Sequence, residues 1–517
     1  MTWHGKNVYA EVIVFFAGAP FPTLMATPPR RLVVIGAGPA GLTAAFEAQR
    51  SGFDVIVLEK DPVYVGGISR TVRHQGNRFD IGGHRFFSKS DEIMRWWKER
   101  LPDDFIQVRR MSRIYYHGKF FAYPLKPWNA LCNLGLLTST ACVLSYVWAQ
   151  LLPRKPERSF EDWVSNRFGR RLFNIFFKTY TVKVWGLPCS QISADWAAQR
   201  IQGLSLFKAI LNAFRGAPKA RGSAVIKTLI DTFDYPRFGP GQMWEKVAAD
   251  FQAAGGQLHL GMQAIKLAQH NHRVIAVEAV PAGGARRRFE ADHFIVSMPL
   301  QETVQALDPA LPPAVEAAAR KLGYRDFLTV VLVLEGENPF PDNWIYIHEP
   351  TVRLGRIQNF KNWSTAMVAR PGITCLGLEY FCFAGDDLWT MPDKNLIELG
   401  KRELAQLGLA RPEQVKDGIV VRMEKAYPIY DPGYQENVQV IRAELAKIAN
   451  LQVVGRNGMH KYNNQDHSMM TAMLAVKNLQ GDRYNLWNVN TDAEYQEAVY
   501  DADDAGGRQV PRSLRND

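Results

Sequence analysis

Several classes of protein are excluded by what this sequence does not contain. Its five cysteines, Cys132, Cys142, Cys189, Cys375 and Cys382, form no CxxC pair and are odd in number. Neither a disulfide framework nor a cysteine metal site is expected, and the thiols read as reduced and cytosolic. No internal repeat and no low-complexity tract occurs in the 517 residues, which sets aside solenoids and repeat arrays. The net charge of +11 comes from scattered Lys and Arg without a recognition motif, so nucleic acid is not the expected partner. The apolar run at 12–16 follows Glu11 and little positive charge precedes it, which argues against a signal peptide. Residues 1–30 are expected to be a disordered leader and 501–517 a frayed tail. Charge is absent from 127–153, between Lys126 and Arg154. That length would suffice for a membrane span, but Asn133, Gly135, Thr138, Ser139, Thr140 and Ser145 dilute the apolarity. Buried helices are therefore the first expectation, a membrane-docking surface the second and a span the last. A cytoplasmic protein is expected, with 127–153 the place for peripheral contact at the inner face of a membrane.

What is present describes an ordinary globular chain, 47% hydrophobic and 22% charged, long enough to need two or three interleaved subdomains. The most informative stretch is Arg31-Leu-Val-Val-Ile35, followed by Gly36-Ala-Gly38-Pro-Ala-Gly41 and then Asp54-Val-Ile-Val-Leu58-Glu59. It reads as strand, glycine turn, helix and strand. Gly36 permits the tight turn, Gly38 lets a pyrophosphate approach the backbone, and Gly41 lets helix and sheet pack closely. Free amides at the helix N-terminus hold phosphates. Glu59 lies eighteen residues past Gly41, where a carboxylate can accept hydrogen bonds from ribose hydroxyls. A dinucleotide is expected here.

Further along, Gly66-Gly67 and Gly82-Gly83 bracket a short hairpin, and 113–124 reads as two strands about His117-Gly118. From Ser159 to about Phe214 the apolar spacing is helical. A helix follows Gly239-Pro-Gly-Gln242, strands are expected at 274–279, 293–299, 329–334 and 373–379, and Asp466 opens a helix to about Leu479. First and last segments are expected to share one sheet, which makes the dinucleotide domain discontinuous.

Taken with Asp80-Ile-Gly-Gly-His84, Tyr123-Pro124, Phe168-Gly-Arg170, Tyr180-Thr-Val-Lys-Val-Trp185, Trp344 to Ser364, Tyr427-Pro428 and Asn464-Gln-Asp-His-Ser468, these motifs resemble the flavin-dependent amine oxidase superfamily. Within it they resemble the UDP-galactopyranose mutases, especially those of eukaryotic type, over about residues 30–480. The resemblance implies an α/β fold. A discontinuous Rossmann-like FAD-binding domain (31–125, 236–300, 431–500) would carry an inserted helical unit (126–235) and an antiparallel-sheet substrate domain (301–430). It implies FAD contacts from Gly36, Gly38, Gly41, Glu59, Gly67, Ser69, Gly82, Gly83, Gly455, Arg456, Gln465, Asp466 and Ser468, with a helix cap as the plain alternative for Asp466. It further implies that Arg200 and Arg356 grip a diphosphate, guanidinium forks being suited to phosphate oxygens. His84 would lie beside the flavin, with Tyr427 and Tyr462 nearby. The implied activity interconverts pyranose and furanose forms of a diphosphate-linked sugar through N5 of a flavin reduced by NADPH or NADH, in polysaccharide synthesis. Where the family has Phe-Gln for the uracil, this chain has Leu125-Lys126, so the carrier is left open between a nucleotide and a lipid diphosphate. The alternative is an FAD oxidoreductase like protoporphyrinogen oxidases or phytoene desaturases, acting on a hydrophobic substrate.

Overall fold

In the computed structural model, which describes residues 30–490 except 124, 195–231 and 337, the β-branched run Arg31–Ile35 is the central strand of a five-stranded parallel sheet. Its spatial order is Leu451–Val453, His293–Val296, Arg31–Ile35, Asp54–Leu58, Gln257–His259. Segments far apart in sequence thus build one sheet. Strands buried on both faces need near-continuous apolar residues, and Leu32, Val33, Val34, Phe294 and Ile295 are wholly inaccessible. Helices Pro39–Arg50, Gly241–Ala253 and Gln465–Leu479 complete this core.

A seven-stranded sheet forms the second layer, in the order Val415–Pro428, Tyr324–Glu335, Ile373–Cys382, Arg356–Asn359, Trp344–Ile347, Ser112–Tyr116, Lys119–Ala122. All its neighbours are antiparallel except Trp344–Ile347 with Ser112–Tyr116. The hairpin 112–122 precedes the helical segment in the chain yet joins the sheet made mostly by residues beyond 323. One sheet face packs on the helical unit Phe160–Phe168, Arg170–Phe173 and Thr179–Trp185. The other packs on helix Asp393–Gln406.

The uncharged segment departs from the first expectation. It forms helices Pro127–Leu134 and Leu136–Leu151, separated at Gly135 with φ of 79°, but they are not buried. The longer helix packs by its small residues: Ser139 and Cys142 are its buried side chains, and a Cβ added at Gly169 would lie 2.7 Å from the Tyr146 backbone nitrogen. Close approach on that side turns the large apolar residues outward. Leu137 is 89% and Trp148 66% exposed. Among the described residues no helix is long and apolar enough to cross a membrane.

Candidate functional site

The glycine turn builds one end of the site. Gly36, with φ of 97°, donates its amide to Leu58 O at 2.8 Å, and an added Cβ would lie 2.3 Å from Ser297 Oγ. Gly41 is closer still, its hypothetical Cβ 1.8 Å from the Gly36 carbonyl oxygen. Gly38 caps helix Pro39–Arg50 with no side-chain oxygen to bond the first-turn amides, which leaves them for an anion. Gly67 faces it: a Cβ on Gly67 would lie 3.4 Å from Gly38 Cα, so side chains at either position would fill the groove. Ser69 is buried beside this turn. Glu59 accepts from Ala37 N at 2.6 Å and Asp61 N at 2.8 Å. Burial raises its pKa, opposed by these two amides. Its carboxylate therefore locks the turn.

At the other end of the site, Gly455 has φ of 83° and donates to Thr471 Oγ1 at 3.0 Å, tying the strand end to helix Gln465–Leu479. That helix starts at Gln465, and Asn464 before it is the cap, in a reciprocal pattern with His467. Asn464, not Asp466, is the cap; Asp466 and Ser468 are buried in the first turn and a half. Gln465 Nε2 donates to Arg85 O at 3.0 Å, while the buried Gln465 Oε1 has no hydrogen-bond partner among the described residues.

Opposite lies a polar cluster on the seven-stranded sheet. Arg356 and Glu379 are cross-strand partners. Arg356 Nε and Nη2 donate to Glu379 Oε2 at 2.8 and 2.5 Å, and Gln358 Nε2 donates to Glu379 Oε1 at 2.9 Å. Glu379 is wholly buried. Burial would lower the Arg356 pKa, but Glu379 and nearby tyrosines raise it well above its usual value. A Cβ on Gly82 would come 3.7 Å from His84 Cε1 and 3.8 Å from Arg356 Nη2, and one on Gly83 3.0 Å from Gln358 Nε2. His84 Nδ1 is buried with no hydrogen-bond partner among the described residues. Burial, then Arg456 and Arg356, push its pKa down to about 3, so the imidazole is neutral at pH 7.

Aromatic rings form the remaining wall. Tyr427 and Tyr462 stack with centroids 5.6 Å apart at 19°, and Arg456 sits 4.8 Å above Tyr462. Arg456 also donates to the carbonyls of Asn463 and Ala426, at 2.8 and 3.2 Å. Its charge has no carboxylate partner among the described residues, whereas that of Arg356 is neutralised by Glu379. Tyr180 stacks on His348 at 4.9 Å. Burial raises the pKa of Tyr180 and Tyr427, so both hydroxyls remain protonated. Behind the Gly82 turn, the buried Asp80 accepts from Tyr235 Oη and from Thr71 Oγ1 at 2.9 Å, and burial raises its pKa to about 7.

The structure thus gathers Gly36, Gly38, Gly41, Glu59, Gly67 and Ser69 at the glycine turn. His84, Arg356, Tyr427, Tyr462 and Arg456 form the polar and aromatic wall. Arg200 lies outside the described residues. Sequence reasoning missed Glu379, Gln358 and the Asp80–Tyr235 pair. One signal was available: Glu379 is the sole charged residue of strand Ile373–Cys382.

The glycine groove and the orphaned His84 Nδ1 and Gln465 Oε1 fit an extended dinucleotide carrying a polar planar ring. The profile of the family described as flavin containing amine oxidoreductase matches residues 39–499. The chain belongs to that family, and a flavin is its cofactor. A reduced UDP-galactopyranose mutase has a similar crystal structure, with a TM-score of 0.75, 23% identity and coverage of 87% of this chain and 96% of that one. A Klebsiella pneumoniae protein named "Probable UDP-galactopyranose mutase" is 22% identical over 215 residues, 39% of this chain and 53% of that protein. Flavin-containing amine oxidase B of Bos taurus is 34% identical over 109 residues, 20% of this chain and 21% of that enzyme. The chain thus spans about half the length of the first of these curated relatives and a fifth of the second. At these identities the structural likeness establishes the fold.

Proposed function

We propose that this chain is a flavin-dependent mutase resembling the UDP-galactopyranose mutases. It would interconvert pyranose and furanose forms of a diphosphate-linked sugar, draw reducing equivalents from NADPH or NADH, and serve polysaccharide synthesis. The observation that carries this reading is the wall opposite the Gly82-Gly83 turn: a buried Arg356–Glu379–Gln358 cluster, protonated tyrosines and Arg456, which has no carboxylate partner among the described residues. Such a wall suits a hydroxylated, anionic substrate better than an apolar one, because buried polar groups without partners are costly.

Gly38, Gly67 and the first turn of Pro39–Arg50 would hold the pyrophosphate of FAD, Glu59 its ribose, and Gly82, Gly83, Gln465 and Asp466 its ring. Reduced flavin supplies a nucleophilic nitrogen, and oxidised flavin a hydride acceptor. Neutral His84 can orient without adding charge. Arg456, with Arg200 proposed as its second cation, would stabilise the diphosphate as it leaves, while Tyr427 and Tyr462 donate to phosphate oxygens and Glu379 holds Arg356 in place.

An oxidoreductase is the second reading, favoured by neutralisation of Arg356, which removes one cation a diphosphate would use. Equilibrium binding of UDP-galactose and of a polyprenyl diphosphate sugar to holoprotein, Arg200→Ala and Arg456→Lys tests the choice. Retained flavin with at least tenfold weaker binding by both variants supports the mutase. Unchanged binding by both, or no binding by holoprotein, removes it.

A further inference from the structure

We propose that the helix pair Pro127–Leu134 and Leu136–Leu151 docks this protein on the surface of an anionic lipid bilayer. Leu137, Leu144, Trp148 and Leu151 recur along one face of the longer helix and are 89%, 65%, 66% and 71% exposed; Trp128 on the shorter helix is 76% exposed. Solitary exposed apolar residues are commonplace, but a continuous stripe of this kind marks an interaction surface.

Its chemistry selects a bilayer. At about 1.5 Å per residue the longer helix spans roughly 24 Å, short of the roughly 30 Å hydrocarbon core, so it lies along the interface rather than crossing it. Trp148 on that face and the exposed Trp128 on the shorter helix suit the headgroup boundary. Residues 127–153 contain no acidic side chain. Exposed Lys126, Lys155, Arg158, Arg170 and Arg171 rim the segment and form no ion pair among the described residues. Arg171 lies directly against the helix, its backbone amide bonded to Ser145 Oγ at 3.0 Å. The neighbouring acids are already engaged: Glu157 by Arg167, and Glu161 and Asp162 by Arg154. A basic rim about an uncharged apolar stripe complements anionic headgroups over acyl chains.

Sedimentation of the full-length holoprotein with vesicles tests this, using phosphatidylcholine alone or with 30 mol% phosphatidylglycerol (about a third anionic, in the range where basic patches respond). Wild-type protein should bind the anionic vesicles at least tenfold more tightly, and less tightly in high salt. Leu144→Ser with Trp148→Ser should abolish binding while flavin content and circular dichroism stay unchanged. Lys126→Glu with Lys155→Glu should weaken it severalfold. Indifference of the wild type to both vesicles overturns the proposal. So does a dimer in light scattering that the Leu144 and Trp148 changes dissociate, without vesicle binding, since the occupant would then be a second copy. The outcome is independent of which substrate the site takes.

Discussion

Removing Glu379 is the sharpest probe of how the site is built. Its carboxylate is fully buried and receives three charge-assisted or neutral donors, two from Arg356 and one from Gln358, at 2.5 to 2.9 Å. The Arg356 side chain is only 19% exposed. Deleting one member of a buried ion pair leaves the other uncompensated, at a cost of about 3–5 kcal/mol, whereas replacing both by apolar side chains of similar volume is often near neutral. Glu379→Leu should therefore lose about 3–5 kcal/mol of unfolding free energy. Arg356→Met with Glu379→Leu should fall within about 1 kcal/mol of wild type. Glu379→Gln, which keeps the shape and one acceptor, should lose about 1.5–3 kcal/mol. Urea unfolding of the holoproteins, followed by far-ultraviolet circular dichroism, measures all three. A loss below about 1 kcal/mol for Glu379→Leu, or a double variant as unstable as the sum of its singles, would mean the cluster does not hold the wall together.

Gly41→Ala drives a Cβ to within 1.8 Å of a backbone oxygen; the purified variant should be colourless, and a flavin-to-protein ratio equal to wild type by absorbance would contradict the close packing at the turn. His84, held near pKa 3 when folded, takes a proton in the unfolded chain at about 6.5. Stability should thus fall as pH drops from about 6.5 to 3, by about 1.4 kcal/mol per unit from this residue, and His84→Asn should flatten that slope in pH-dependent unfolding. Asp80 works in the opposite direction. It keeps its proton up to about 7 whereas the unfolded chain releases it near 3.9, so its contribution declines as pH rises between those values. Asp80→Asn should gain on wild type across that window; parallel curves would show the carboxyl already ionised.

Features with local causes were legible in the sequence. Gly36, Gly38 and Gly41 are dictated by a turn, a groove and a helix–strand contact a few residues apart. The helix expected from Asp466 begins one residue earlier at Gln465 because Asn464 supplies the cap. Features set by tertiary register were not. Arg356 meets Glu379 only because two strands pair at that offset, and Ser112 meets Trp344 across more than two hundred residues; the lone charge of its strand marks Glu379 but not its partner. The segment 127–153 shows a different limit: apolar spacing along a helix is the same whether the face meets a core or a bilayer, and only the small-residue packing at Gly169 decides which side turns outward.

The most direct measurement is chromatographic: incubate dithionite-reduced holoprotein, under nitrogen, separately with the pyranose and furanose forms of UDP-galactose and of a lipid-diphosphate galactose. We predict that at least one carrier reaches the same mixture from either side, only with reduced protein, and without stoichiometric consumption of reductant. Substrate-dependent bleaching of the oxidised flavin, with oxygen uptake matching product and no interconversion on any carrier, would contradict it.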